Sequence, residues 1–200
     1  GEGTAKMAKK LESAVNSGIY AAERLVRTET LHFLNKGQLD SYIEYGDEEY
    51  EYLATLDART CRTCGALDMK VFPVSAGQGG VNYPTMHPNC RCTTVPHVDA
   101  NGTRRARNYL TGEYDEVSGN MSYSEWISSM SPEERAEFEY KAKSLQNRAA
   151  DKRQLTKYQE VLGKSGSLRG LDKFQRVKYN NSEEYRDILG AYRYALDNPG

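Results

Sequence analysis

Two short groups of cysteine and histidine constrain this 200-residue chain more than any other feature. The first is "CRTC", Cys61-x2-Cys64; the second is "HPNCRC", His87-x2-Cys90, with Cys92 two residues further on. Two ligand pairs, each separated by two residues and joined by a loop of 22, have the spacing of a tetrahedral structural zinc site. Each tight turn there presents two side chains to one ion at about 2.0–2.3 Å. Cys61, Cys64, His87 and Cys90 are the expected ligands. Pro88 fixes the backbone inside the second pair, and Gly65 permits a tight turn just after the first. Cys92 is the rival for a place, because residues 90 and 92 of a strand point to the same side.

Two other readings stay open. The even cysteine count allows a pair of disulfides, which a reducing cytosol disfavours. A cysteine nucleophile with His87 or His97 as its base is the other, and it lacks an evident third group to orient it. A closed four-ligand Zn2+ leaves no position for water, so such a site stabilises and does not catalyse. Asp57 and Arg59, in "LDARTC", are expected to support it, Asp57 by accepting from an amide of the ligand loop or by contacting Arg59. His32 reads as packed or solvated on a helix face.

Around the clip, the apolar periodicity divides the chain. Met7, Leu11, Val15 and Ile19 recur at helical spacing, and Leu25, Thr28, His32 and Leu39 continue that face past Gly18, so residues 4–45 read as two helices or one broken helix. "EYEYLATL", Glu49 to Leu56, alternates acid and tyrosine as a strand with one wet face does. "KVFPV" and "CTTVPHV" read as strands, and "SAGQGGVNYP" as a flexible connector. After the turn signal "DANGT", "NYLTGEYDEVS" suggests a polar hairpin. "SYSE" and "SPEE" are capping boxes that start helices near 122 and 131, the second with Pro132 at its first position. Gly163 reads as a helix C-cap, and Asn181 or Ser182 as the cap of a last helix. The 15 tyrosines outnumber Phe and Trp together three to one. That composition predicts thin layers and half-buried polar rings rather than one thick core.

The expected fold class is α+β: an N-terminal helical segment (1–46), a small antiparallel sheet with a structural zinc site (47–100), and an extended helical C-terminal arm (101–200). The chain carries a net charge of −1, but Lys141 to Lys178 holds eleven Lys and Arg against three acids. Either this is a solvated helical face, or it meets nucleic acid or an acidic protein surface through Lys141, Lys143, Arg148, Lys152, Arg153 and Lys157. No run reaches the roughly 18–20 apolar residues of a membrane span, and "GEGTAKMAKK" lacks the apolar core of a secretion signal. The expectation is a soluble chain without a membrane partner, and "GEG" reads as a cloning remnant on a piece of a longer protein.

"LATLDARTCRTCGALDMKVFPV" and "NYPTMHPNCRCTTVP" together resemble the signature of the Mu F-like minor head proteins, the phage head morphogenesis family. The resemblance lies in Asp57, Arg59, Thr60, Cys61 and Cys64, in the Ala66-Leu67-Asp68 turn and in His87 to Cys92. "RTET", Arg27 to Thr30, is similar to the family's preceding helix motif, so the likeness spans residues 24–97. The tail is similar to the C-terminal extension of minor head proteins from phages and prophages of Gram-positive bacteria. One departure is Met69, where the family usually has Gly; Met there needs either φ below zero or a left-handed backbone. The resemblance implies a virion protein of the phage head interior, assembled in the bacterial host cytoplasm. It also implies association with the portal protein and other head proteins, and contact with double-stranded DNA in packaging or ejection.

No enzymatic activity is expected. The alternative, drawn from toxin fusions in the same family, is a transferase or nuclease domain of a phage-derived toxin using Arg27, Glu29, Asp57, Arg59 and His87. No Gly-rich phosphate loop, carboxylate pair or open metal site singles it out. A zinc module that reads DNA sequence fits less well, because no basic recognition helix lies between the ligand pairs.

Overall fold

The computed structural model describes residues 3–15, 18–98 and 102–198, so most of "DANGT" and the first two residues of "GEG" lie outside the described residues. The α+β class holds, with two compact units. The first runs to Ser129, apart from Tyr109–Thr111; the second comprises that tripeptide and the chain from Met130.

In the first unit, α1 (Thr4–Val15) packs against α2 (Ile19–Tyr45), whose N-cap is Gly18. Gly46 ends α2 in the left-handed region, φ 77°, and Asp47 N–H reaches back to the Tyr42 carbonyl at 2.9 Å. This is the glycine C-cap that satisfies the last carbonyls of a helix. The buried residues of α2 are Ala22, Asn35 and Tyr42, whereas Leu25 of the expected face is about half exposed. The reason is that α2 docks on the sheet with polar groups. Gln38 Nε2 donates to the Thr94 carbonyl at 2.7 Å, the Tyr42 hydroxyl lies 3.1 Å from Thr94 Oγ1, and the Tyr83 hydroxyl donates to the Asn35 carbonyl at 3.0 Å.

The sheet has the order β2-β1-β3, antiparallel throughout, from β1 (Glu49–Leu53), β2 (Val71–Pro73) and β3 (Thr93–Pro96). Its central strand turns Tyr50 and Tyr52 fully inward and its acids outward, as alternation requires. Tyr50 enters an aromatic cluster with Tyr42, Val74 and Tyr83, while Tyr52 packs with Ala54, Cys64, Cys90 and Cys92. Six tyrosines are therefore buried outright rather than half-buried. Several place their hydroxyls on a partner, which removes the penalty of taking an OH out of water. The segment read as a flexible connector is tied. Asn82 Oδ1 accepts from Gln78 N–H at 2.8 Å, its Nδ2 donates to the Ala76 carbonyl at 2.9 Å, and Tyr83 seals the turn from within.

A β-hairpin of β4 (Thr103–Arg107) and β5 (Tyr114–Ser118) and the short helix α4 (Tyr123–Ser129) complete this unit. Arg104 fixes them to it, donating to both carboxylate oxygens of the buried Asp68 at 3.0 and 3.1 Å and to the Ala54 carbonyl. Ser122 and Glu125 make the reciprocal capping box: Glu125 N–H to Ser122 Oγ at 3.3 Å and Ser122 N–H to Glu125 Oε2 at 2.8 Å.

The second unit holds α5 (Pro132–Gln146), α6 (Arg148–Leu162), α7 (Leu171–Asn180) and α8 (Ser182–Asp197). Its helices fold back on one another rather than running end to end. Leu155, Tyr158, Leu168 and Phe174 form its core, and α8 covers them with Tyr185, Ile188, Leu189 and Tyr192 at helical spacing. Asp151, fully buried, accepts from Lys178 at 2.7 Å and from Gln175 and Tyr179 at 2.8 Å each. That network joins α6 to α7.

Candidate metal centre

Leaving β1, the chain makes a turn held by its own side chains. Asp57 Oδ1 accepts from Arg59 N–H at 2.8 Å, and Thr60 Oγ1 donates to the Thr55 carbonyl at 2.5 Å. Cys61 then caps a helix of six residues, α3 (Arg62–Leu67), its sulfur accepting from Cys64 N–H at 3.4 Å. One helical turn places Cys61 and Cys64 on the same side. Gly65 is therefore not a turn glycine. A Cβ on it would stand 2.6 Å from Cδ1 of Tyr123, so the close approach of that ring requires it. At the end of α3, Met69 takes the left-handed region at φ 63°, with its N–H on the Tyr52 carbonyl.

The second group makes a tight turn in which Cys90 N–H donates to the His87 carbonyl at 3.0 Å. Asn89 supplies the turn's left-handed residue, φ 60°, a conformation asparagine tolerates better than most. His87 Nδ1 lies 2.9 Å from the Pro88 carbonyl, which leaves Nε2 facing sulfur, 3.2 Å from Cys61 Sγ and 3.4 Å from Cys64 Sγ. A backbone carbonyl on one ring nitrogen is how proteins set a ligating imidazole's tautomer.

The five donors fall into two overlapping triplets that share Cys64: Cys61, Cys64 and His87, and Cys64, Cys90 and Cys92. Within each, all ligand atoms lie within 4.8 Å of one another. All four cysteines are free thiols, so the disulfide reading has no counterpart here. Cys64, Cys90 and Cys92 are buried, and the Tyr52 hydroxyl points at Cys64 Sγ from 3.5 Å. Hydrogen bonds from Cys64 and then Cys92 hold Cys90 toward the thiolate, and Cys64, which gives the stronger of these, is held as a thiol. Cys92 is pushed up to about 11: its bond with Cys64 lowers it, but its bond with Cys90 and its burial prevail. Burial opposes ionisation of Cys61, yet the Cys64 N–H and His87 bring its thiol below the usual range. Soft donors crowded into an apolar pocket and sharing hydrogens suit a thiophilic cation that takes the protons' place. The cluster could hold a metal ion.

Arg91 was legible only as part of a strand, yet it is the principal partner of Asp57. It forks onto the two carboxylate oxygens at 2.5 and 2.6 Å, while the Arg59 side chain stands 3.7 Å away. Burial works against ionisation of Asp57, but the Arg91 bonds outweigh it and hold the carboxyl below the usual range. This pair ties the "CRTC" approach to "HPNCRC" across the centre. The "RTET" stretch meets the same loop: Thr28 Oγ1 accepts from Asn89 N–H at 3.1 Å, and Arg27 and Thr30 line a cleft with His87, Arg59 and Arg91. Glu29 lies apart from that cleft, in a separate depression. No sequence pattern flagged Tyr52, Arg104 or Tyr123 as supports of the site.

On α5 and α6, Lys141, Lys143, Arg148, Lys152, Arg153 and Lys157 are all exposed. Part of the basic excess is consumed inside the unit: Lys178 binds Asp151, and Arg176 forks onto Glu137 at 2.6 and 2.7 Å and stacks on Tyr140.

A family model described as "Phage Mu protein F like protein" matches residues 1–95, the stretch that contains every donor of the cluster. No curated protein and no solved structure matches the chain. Among the described residues, no helix is long and apolar enough to cross a membrane.

Proposed function

We propose that this chain is a minor head protein of the phage head morphogenesis family, a reading supported by the match of residues 1–95 to the Mu protein F-like model. It enters the virion, associates with the portal and other head proteins during assembly in the host cytoplasm, and serves DNA packaging or ejection. Its role is structural rather than catalytic. The observation that carries this reading is the coincidence of the family match with the complete Cys/His cluster and with the "RTET" helix packed against it.

In this reading the cluster holds a structural Zn2+. Cys61, Cys64 and His87 supply one side, Cys90 completes the set, and Cys92 is the neighbouring sulfur able to replace a ligand. A bound zinc supplies charge and a rigid crosslink between the two motifs, and Asp57, Arg91 and Arg59 keep those motifs in register. The exposed cations of α5 and α6 contact duplex DNA through its phosphates. The host of the parent phage or prophage is Gram-positive.

Mass spectrometry of heads purified from the parent phage tests the core of this proposal. The chain is expected in the head fraction at a small fraction of the major capsid subunit, and its absence there would sink the head-protein reading. Native mass spectrometry addresses the ligand set. One zinc is expected, lost on acidification, and lost in Cys61→Ser, Cys64→Ser, His87→Ala and Cys90→Ser but kept in Cys92→Ser. Duplex binding that falls linearly with log salt, with a slope of about −0.9 per phosphate neutralised, supports the DNA contact. Binding that ignores both salt and Lys152→Glu/Lys157→Glu removes it.

A further inference from the structure

We propose that the cleft beside the Cys/His cluster is a docking site for an acidic, partly apolar peptide segment of a partner protein. The inference rests on the head-protein reading for the partner's identity, but on the cleft's own chemistry for what it binds. The cleft encloses about 630 Å3, within the range of peptide- and ligand-sized sites. Arg27 stands on its α2 wall, and Arg59 and Arg91 come from the two motif loops. Among the described residues no Asp or Glu lines it, in a chain whose acids outnumber its Lys and Arg.

Two of the three guanidiniums are held loosely. Arg91 forks onto Asp57, whereas Arg59 stands 3.7 Å from the same carboxylate. Arg27 meets Glu23 only at 3.8 Å along the helix, with its side chain 62% exposed; Arg59 is 60% exposed. Exposed pairs of this kind are weak, so an incoming carboxylate competes readily for both guanidiniums. Leu31, Leu34 and Pro88 also line the cleft, and Leu34 is two-thirds exposed. Guanidiniums beside leucine and proline match a segment in which acids flank an apolar side chain. Among the described residues no Phe, Tyr or Trp lines the cleft, and its concave leucine and proline wall suits an apolar side chain better than the flat face of a duplex. Peptide also fits the fold economically, since the walls are the two family motifs and the helix that packs on them.

Selection of random-sequence peptides on the whole, metal-loaded chain tests this. Selected peptides are expected to be enriched in Asp and Glu next to Leu, Ile or Phe. A synthetic peptide made from that consensus should bind wild type about tenfold more tightly than Arg27→Glu/Leu34→Glu and lose affinity as salt rises. Both positions are exposed on α2 and neither is a donor of the cluster, so unchanged metal content and circular dichroism are expected of the variant; Arg27→Gln/Leu34→Gln, with an intermediate loss, guards against a folding effect. Selection without acidic enrichment, an unchanged affinity in both variants, or displacement of the peptide by a tighter-binding single-stranded oligonucleotide overturns the proposal. Recovery of the chain in purified heads is scored separately. Heads that contain it while the cleft selects no acidic peptide remove the cleft alone; an acidic selection by a chain absent from heads removes the head protein as its partner.

Discussion

A methyl group at residue 65 would stand 2.6 Å from the ring of Tyr123, whose hydroxyl also donates to the Asp57 carbonyl at 3.3 Å. Gly65→Ala is therefore expected to destabilise the first unit by about 1–3 kcal/mol through overpacking. Tyr123→Ala removes the obstruction, so urea denaturation of the double variant should show a loss smaller than the sum of the singles by about 1 kcal/mol or more. Strict additivity would mean that the ring and the glycine do not meet. At this scale the sequence displayed the cysteines, the histidine and their spacing but not their supports. Gly65 carries the same letter whether it serves a turn or a ring 58 positions away, and only the fold distinguishes the two. Arg91 is the same case: adjacency to Cys90 hid a partner 34 residues upstream. Met69 shows what the sequence could expose, since its left-handed backbone, φ 63°, is one of the two geometries its place in the family pattern allowed.

Helix boundaries were legible wherever the signal was local. Ser131 Oγ accepts from Glu134 N–H at 3.2 Å, Asn181 Oδ1 from Glu184 N–H at 3.1 Å, and Gly163 ends α6 at φ 81°, each a bond or a torsion set within four residues. Strand β4, "TRRAR", has no apolar alternation, and its pairing comes from β5 and from Arg107 N–H on the Leu56 carbonyl at 2.9 Å. The lock between α6 and α7 was invisible for the same reason, because Asp151 looked like one of three acids diluting a basic run. Burial opposes its ionisation, but the bonds from Lys178, Gln175 and Tyr179 prevail and hold its carboxyl below the usual range. A depressed folded pKa means that its stabilisation is complete above the unfolded value of about 3.9 and is lost as pH falls through the lower folded value. Asp151→Asn should cost the helical unit about 2 kcal/mol at pH 7, and the gap to wild type should close as pH drops below about 4. Melts recorded from pH 7 to pH 2.5 measure that gap; a gap that stays constant to pH 2.5 would show that the charge on Asp151 does not matter.

The molecule as a whole has two independent sources of cohesion. The unit beginning at Met130 closes around Leu155, Tyr158, Leu168 and Phe174, an apolar core of ordinary kind. The first unit divides its interior into an aromatic cluster around Tyr50 and a sulfur-lined cluster around Tyr52, neither of them large. Thin layers of that sort were the expectation from a tyrosine-rich composition. Structural zinc sites contribute about 10–16 kcal/mol of apparent binding free energy at neutral pH, as much as the whole stability of a typical domain. If the cluster holds its metal as proposed, removal of that metal should unfold the sheet and leave the helices intact. Calorimetry of the metal-loaded chain is expected to resolve two transitions. A strong chelator, or Cys64→Ser, which strikes the donor common to both triplets, should shift one of them downward by tens of degrees and leave the other within a degree or two. Asp151→Asn should do the converse, lowering only the transition that the chelator spares. A chelator that moves both transitions together, or neither, would show that the cysteines and histidine of the clip do not carry the first unit's stability.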